Sequence, residues 1–135
     1  MHRPTVLLAE DHAETAERLR SLLGREFDVI GSVEDGSALV EAAARLSPDA
    51  IVTDLAMPGL DGIAATAIIC RNDPNARIVI VTVHAEAMLV QSGLAAGALG
   101  YLLKDTAGDE LVAAVHAVLD GQRYVSCSLN GWEEG

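Results

Sequence analysis

This 135-residue chain has one lysine, four aromatic residues and two cysteines. With so few rings, its core has to be aliphatic, built from Ala, Val, Leu and Ile. Basic side chains are scarce: nine Lys and Arg stand against twenty Asp and Glu, a formal net charge of −11. Such a segment repels phosphates, which argues against nucleic-acid binding by the segment itself. Cys70 and Cys127 sit far apart, in no CxxC or Cys/His spacing, so neither a disulfide framework nor a zinc site is indicated. Cys70 reads as a buried free thiol. No run approaches the roughly 20 apolar residues of a membrane span, and no long apolar leader opens the chain. The expectation is a cytoplasmic protein with no membrane partner.

Half of the residues are hydrophobic and mean hydropathy is +0.29, which rules out a charge-rich disordered chain. The length suits one domain. Its pattern alternates. Short apolar runs at 5–9, 29–33, 50–53, 78–83 and 99–103 are continuous in Val, Ile and Leu, as strands buried on both faces are. Amphipathic stretches separate them at 13–24, 37–46, 60–71, 86–97 and 107–120. Pro48 and Pro74 close two of these helices. Thr106 with Asp109 reads as a capping-box-like start for the last one, and Gly121 as its stop. Five strand–helix units imply right-handed crossovers and one doubly wound parallel sheet, an α/β (βα)₅ fold of order 2-1-3-4-5. The domain is expected to end at residue 124. Residues 125–135 read as a tail, a linker start or an appended end.

In a sheet of this kind, ligands bind beyond the carboxyl ends of the strands. Those ends carry Glu10 and Asp11, then Asp54, Thr82 and Lys104, with Glu34 and Asp35 at the edge. Each residue alone has an ordinary explanation. Glu10 and Asp11 suit the positive end of a helix, Asp54 a turn, Thr82 a strand interior and Lys104 the surface. Their joint placement on one rim is what carries information. Three close carboxylates need compensation, and a hard divalent cation with oxygen ligands supplies it. A carboxylate is also a competent nucleophile toward phosphorus, with a lysine ammonium beside the phosphoryl oxygens.

The motifs Val6-Leu7-Leu8-Ala9-Glu10-Asp11, Asp54-Leu55-Ala56-Met57-Pro58-Gly59, Ile80-Val81-Thr82 and Gly100-Tyr101-Leu102-Leu103-Lys104 together resemble the receiver domain of two-component response regulators. The Leu102-Leu103-Lys104-Asp105 ending is most similar to the NarL/FixJ (LuxR-type) subfamily. The resemblance implies a flavodoxin-like (CheY-like) fold and a phosphorylation-dependent signalling switch. Asp54 would accept a phosphoryl group from a sensor histidine kinase. Glu10, Asp11, Asp54 and the backbone carbonyl of Ala56 would hold Mg²⁺ or Mn²⁺. Thr82 and Lys104 would contact the phosphoryl group, and Thr82 with Tyr101 would form the switch pair. Ala56 and His84 would border the path of the attacking water and tune dephosphorylation.

The implied partners are the kinase, a homodimer mate, and DNA only through a C-terminal effector outside this chain. No enzymatic activity is implied beyond the chain's own phosphoryl transfer and autodephosphorylation. The apolar segment 86–97, with strand five and the last helix, is the expected phosphorylation-sensitive contact surface. Asp105 stands where many receivers have proline, so a cis bond after Lys104 is not carried over. Two other readings use the same residues: a phosphorylation-independent docking module, and a Mg²⁺-dependent phosphohydrolase of the haloacid-dehalogenase type. The hydrolase would want its nucleophile after the first strand and a second Asp two residues on, where this chain has Ala56. A dinucleotide-binding enzyme would need a glycine-rich first turn instead of Glu10-Asp11.

Overall fold

The computed structural model describes residues 3–126 and 129. Strands β1 (Thr5–Ala9), β2 (Asp28–Val33), β3 (Ala50–Asp54), β4 (Ile78–Thr82) and β5 (Gly100–Leu103) alternate with helices α1 (Ala13–Leu23), α2 (Gly36–Leu46), α3 (Gly62–Asn72), α4 (Ala87–Ala96) and α5 (Ala107–Leu119). All strand pairs are parallel. The fold is the expected flavodoxin-like one, with one addition. A sixth strand, β6 (Tyr124–Val125), pairs with β5 and extends the order to 2-1-3-4-5-6. Two residues cannot display a strand period, so the element is invisible in the sequence. The pairing runs through the backbone: Tyr124 and Ser126 donate to the carbonyls of Leu99 and Tyr101, at 2.9 and 3.0 Å. It covers what would otherwise be an open sheet edge. Ser126 and Leu129 are buried too. The rest of the expected tail, with Cys127, lies outside the described residues.

Period-two alternation divides the sheet between two aliphatic layers. Val6, Leu8, Val52, Val79 and Leu102 face α1 and α5, where they meet Leu19, Leu23, Leu111, Val115 and Val118. Leu7, Ile51, Ile78, Ile80 and Tyr101 face α2, α3 and α4, among Leu39, Ala65, Ile69 and Val90. Central strands β3 and β4 are buried along their whole length, which explains their unbroken apolar runs.

The helix starts differ from expectation in physical detail. Asp35 and Asp61 accept from the backbone N–H groups of Ala38 and Ala64, both at 2.8 Å, and thereby cap α2 and α3. Asp61 delays α3 to residue 62. Thr106 makes no cap; its hydroxyl donates to the Leu103 carbonyl within a 3-10 turn spanning Lys104–Thr106. Cys70 is free and half-buried; burial, then Asp73, pushes its thiol pKa up. The described peptide bonds are all trans, including the one after Lys104. Among the described residues no helix is long and apolar enough to cross a membrane.

Candidate functional site

Parallel strands end on the same rim, and that rim gathers the expected residues. Asp54 closes β3 and is 4% exposed, while Glu10, one residue past β1, is 2% exposed. Lys104, just beyond β5, reaches both. Its Nζ lies 3.1 Å from Asp54 Oδ2 and 2.9 Å from Glu10 Oε1. The first contact is a hydrogen bond; the second is an ion-pair contact without hydrogen-bond alignment. α3 can tuck beneath Asp54 because its first residue is glycine: a Cβ on Gly62 would stand 2.0 Å from the Asp54 carbonyl oxygen. Instead the Gly62 N–H donates to the Leu55 carbonyl at 2.7 Å.

The electrostatics are unbalanced. Burial, and then the neighbouring Glu10 carboxylate, raise the Asp54 pKa; Lys104 and the backbone N–H of Ala56 oppose them without cancelling them. Burial alone would lower the Lys104 pKa, but Glu10 and Asp54 outweigh it and hold the ammonium above the usual lysine range. One cation therefore serves two buried anions. Asp11 Oδ1 is buried and has no hydrogen-bond partner among the described residues. Its neighbour is His12, whose Nδ1 lies 3.3 Å away and also 3.2 Å from Glu10 Oε2. His12 was missed in the sequence, although it directly follows the acidic pair. Glu10, Asp11, His12 and Asp54 each offer a ligand atom within 4.8 Å of one another. An orphaned carboxylate oxygen beside two more buried carboxylates is the donor set of a hard divalent cation, so the residues fit one.

The remaining expected residues occupy the neighbouring corner. Thr82 is buried at the end of β4, and its Oγ1 accepts the His84 N–H at 3.2 Å. The Tyr101 ring is fully buried, and its hydroxyl donates to the His84 carbonyl at 2.9 Å. The backbone of His84 thus grips both residues. Burial, with Glu86 nearby, pushes the Tyr101 pKa up to about 12. The His84 ring is part-exposed and points at Glu86, 3.5 Å away. Ala56 is exposed on the loop after β3. Of the edge acids, Asp35 caps α2, while Glu34 lines an open groove beside Glu10 and Asp11. A separate cavity between α2 and α3, lined by Val40, Ile51 and Ile69 and also by Ser47, Asp73 and Arg77, contains none of these residues.

Residues 6–116 match the family described as response regulator receiver domain. The chain belongs to the receiver domain family. It is 38% identical over 128 residues to the transcriptional regulatory protein LiaR of Bacillus subtilis (strain 168), covering 93% of this chain and 61% of that one. A LuxR-family response regulator structure from Aurantimonas sp. SI85-9A1 superposes with a TM-score of 0.91 at 33% identity, over 94% of this chain and 92% of that one. The isolated receiver of RcsB from Salmonella enterica serovar Typhimurium, solved with the phosphomimetic BeF₃⁻, gives 0.88 at 28% identity, over 98% and 100%. The chain spans about three-fifths of the length of the curated relatives it matches. Receivers are signalling domains of two-component systems, and their acidic pocket binds Mg²⁺. That matches the acidic cluster described above.

Proposed function

We propose that this receiver is a phosphorylation-dependent switch in which Asp54 accepts a phosphoryl group from the phosphohistidine of a sensor kinase. The observation that carries the reading is the buried Asp54 carboxylate, held 3.1 Å from the lone lysine beside an acidic cluster with a buried oxygen that accepts no hydrogen bond among the described residues. A carboxylate oxygen of Asp54 would attack phosphorus as the P–N bond breaks, and the imidazole would leave with its bonding electrons. Glu10, Asp11, Asp54 and the Ala56 carbonyl would hold Mg²⁺ or Mn²⁺. When bound, that cation offsets the negative charge that gathers around the transferring group. Lys104 would shift from pairing two carboxylates to contacting a phosphoryl oxygen as a point charge. Thr82 already accepts the His84 N–H, which leaves its own proton to donate to the phosphoryl group. Ala56 and His84 flank the approach of water and would set the lifetime of the acyl phosphate.

The output follows from the same corner. Drawing Thr82 toward Asp54 would bias Tyr101 and, with it, the loop after β4 and α4, where Val83 of the loop and Met88 of the helix expose apolar side chains at 71% and 75%. This surface would serve a second copy of the chain or an effector. The likeness to LiaR, a transcriptional regulatory protein, supports a transcriptional output through a DNA-binding part beyond residue 135, in the cytoplasm.

Intact-mass measurement after incubation with acetyl phosphate and Mg²⁺ tests the reading. One phosphoryl adduct is expected, absent from Asp54→Asn and absent with EDTA. An unmodified parent chain would favour a phosphorylation-independent docking module. Steady turnover of small phosphate esters would point to a phosphohydrolase.

A further inference from the structure

The residue at the N-cap of α1 is a histidine, and its ring makes no capping hydrogen bond to the helix it starts. Ser, Thr, Asp and Asn are the side chains that satisfy a helix N-terminus, so capping does not account for an imidazole at position 12. The ring turns back toward the pocket instead. Its Nδ1 lies 3.2 Å from Glu10 Oε2 and 3.3 Å from Asp11 Oδ1. Glu10 Oε2 also accepts the His12 backbone N–H, at 3.1 Å, which fixes the backbone that carries the ring. The Glu10 side chain is fully buried, and its other oxygen, Oε1, meets the Lys104 ammonium without a hydrogen bond. The imidazole, by contrast, is 71% exposed, so solutes reach it directly.

Two donor atoms on neighbouring corners of an octahedral ion stand about 3 Å apart, since each lies roughly 2.1 Å from the ion. The His12 nitrogen and the two carboxylate oxygens are already close to that spacing. All-oxygen sites suit Mg²⁺, whereas an imidazole nitrogen suits late first-row ions such as Ni²⁺ and Zn²⁺. We propose that His12 is a nitrogen ligand to the cation of this pocket and sets its metal preference, favouring an imidazole-seeking ion such as Zn²⁺ over Mg²⁺. Asp54 belongs to the same group of ligand atoms, all within 4.8 Å of one another. The ion that His12 favours is therefore the one the phosphoryl acceptor would meet. The inference rests on the cation reading given above and adds to it which ion this chain selects.

Competition calorimetry on the full chain tests the preference. Zn²⁺ is added with and without excess Mg²⁺, and the binding that Mg²⁺ competes away belongs to the pocket, not to exposed histidines elsewhere. His12→Phe keeps a ring at the helix start and removes the ligand atom. Its pocket affinity for Zn²⁺ is expected to fall about tenfold or more, while its Mg²⁺ affinity changes less than about twofold. Transition ions bind mixed nitrogen–oxygen sites tightly in general, so the deciding quantity is the change in the Zn²⁺-to-Mg²⁺ ratio between parent and variant. Equal losses for the two ions, or an unaltered Zn²⁺ affinity, overturn the proposal. So does Zn²⁺ binding that Mg²⁺ never displaces. Asp11→Asn serves as the control and should weaken both ions.

A second readout on the parent chain does not depend on the fold of any variant. With nitrogen-15-labelled histidine, and the His12 ring signals assigned by their absence from His12→Phe or His12→Gln, Zn²⁺ should shift the Nδ1 resonance strongly. Mg²⁺ should move it far less. A His12 nitrogen that Zn²⁺ leaves in place overturns the proposal even if affinity falls in the variant, because the ring then serves the carboxylates only through hydrogen bonds. A parent chain that binds neither ion ends the cation reading and this proposal together. Mg²⁺ binding with an unmoved ratio ends this proposal alone.

Discussion

Two buried carboxylate sites lie near the carboxyl end of β5, and they are solved in opposite ways. In the pocket, Glu10 and Asp54 share one ammonium, and a buried oxygen of Asp11 has no hydrogen-bond partner among the described residues. On the other side of β5, Glu110 of α5 is 8% exposed and hydroxyls meet both of its oxygens. Ser126 Oγ donates to Oε2 at 2.6 Å, and Tyr124 Oη to Oε1 at 3.1 Å. Burying a carboxylate costs stability unless hydrogen bonds replace the lost water. Glu110 has those bonds, and they tie β6 to α5. The pocket leaves acceptor capacity unused, which is what the proposed cation and phosphoryl group would take up. The contrast separates a structural carboxylate from a chemical one by partner accounting alone.

That contrast can be broken by substitution. Glu110→Ala should destabilise the protein by about 2 kcal/mol in denaturant unfolding, because buried hydroxyls lose their acceptor. It should leave phosphoryl-adduct formation intact. An equal loss from Asp54→Ala would erase the distinction.

Alkaline pH should act through Tyr101, which sits between the two sites. Its folded pKa of about 12 lies above the ordinary 10, so the folded state holds the proton longer than the unfolded chain. The stability this confers is complete below pH 10 and is lost as pH rises toward 12, on the order of 2 kcal/mol. Tyr101→Phe should flatten the stability profile over that window, whereas Tyr124→Phe should not. Lys104, also raised, adds a decline of the same sign that both variants keep.

Divalent cation should stabilise one site only. At tenfold excess over its dissociation constant, Mg²⁺ should add about 1.4 kcal/mol to the parent and to Glu110→Gln. Asp11→Asn should lose that gain in a thermal-shift measurement. The smallest effect is the most telling about charge. The raised Asp54 pKa means that its stability contribution is present below the ordinary carboxylate range and lost once pH rises through the folded value. In EDTA at neutral pH, Asp54→Asn should therefore be more stable than the parent in denaturant unfolding. A less stable Asn variant would mean that Lys104 already compensates the buried charge in full.

How legible each site was follows the same line. The pocket could be read because parallel strands end on one rim, so Glu10, Asp54, Thr82 and Lys104 become neighbours once the strands are counted. The Glu110 site could not. It depends on a two-residue strand without a period, and on a carboxylate at a helix position that favours exposed charge as readily as buried. Thr106 was expected to cap α5 from its spacing to Asp109, but the 3-10 turn after β5 takes its hydroxyl elsewhere. Periodicity and strand order reach as far as what the backbone aligns; side-chain partners across non-neighbouring elements lie beyond them.

The central claim is that Asp54, among all the buried carboxylates, is the one that takes the phosphoryl group. Borohydride reduction of the acetyl phosphate-treated chain, followed by peptide mass mapping, tests it most directly, because reduction converts an aspartyl phosphate to homoserine. Homoserine is expected at position 54 alone, dependent on Mg²⁺. Homoserine at position 11, or an unreduced Asp54 in a chain that carries the phosphoryl mass, would contradict it.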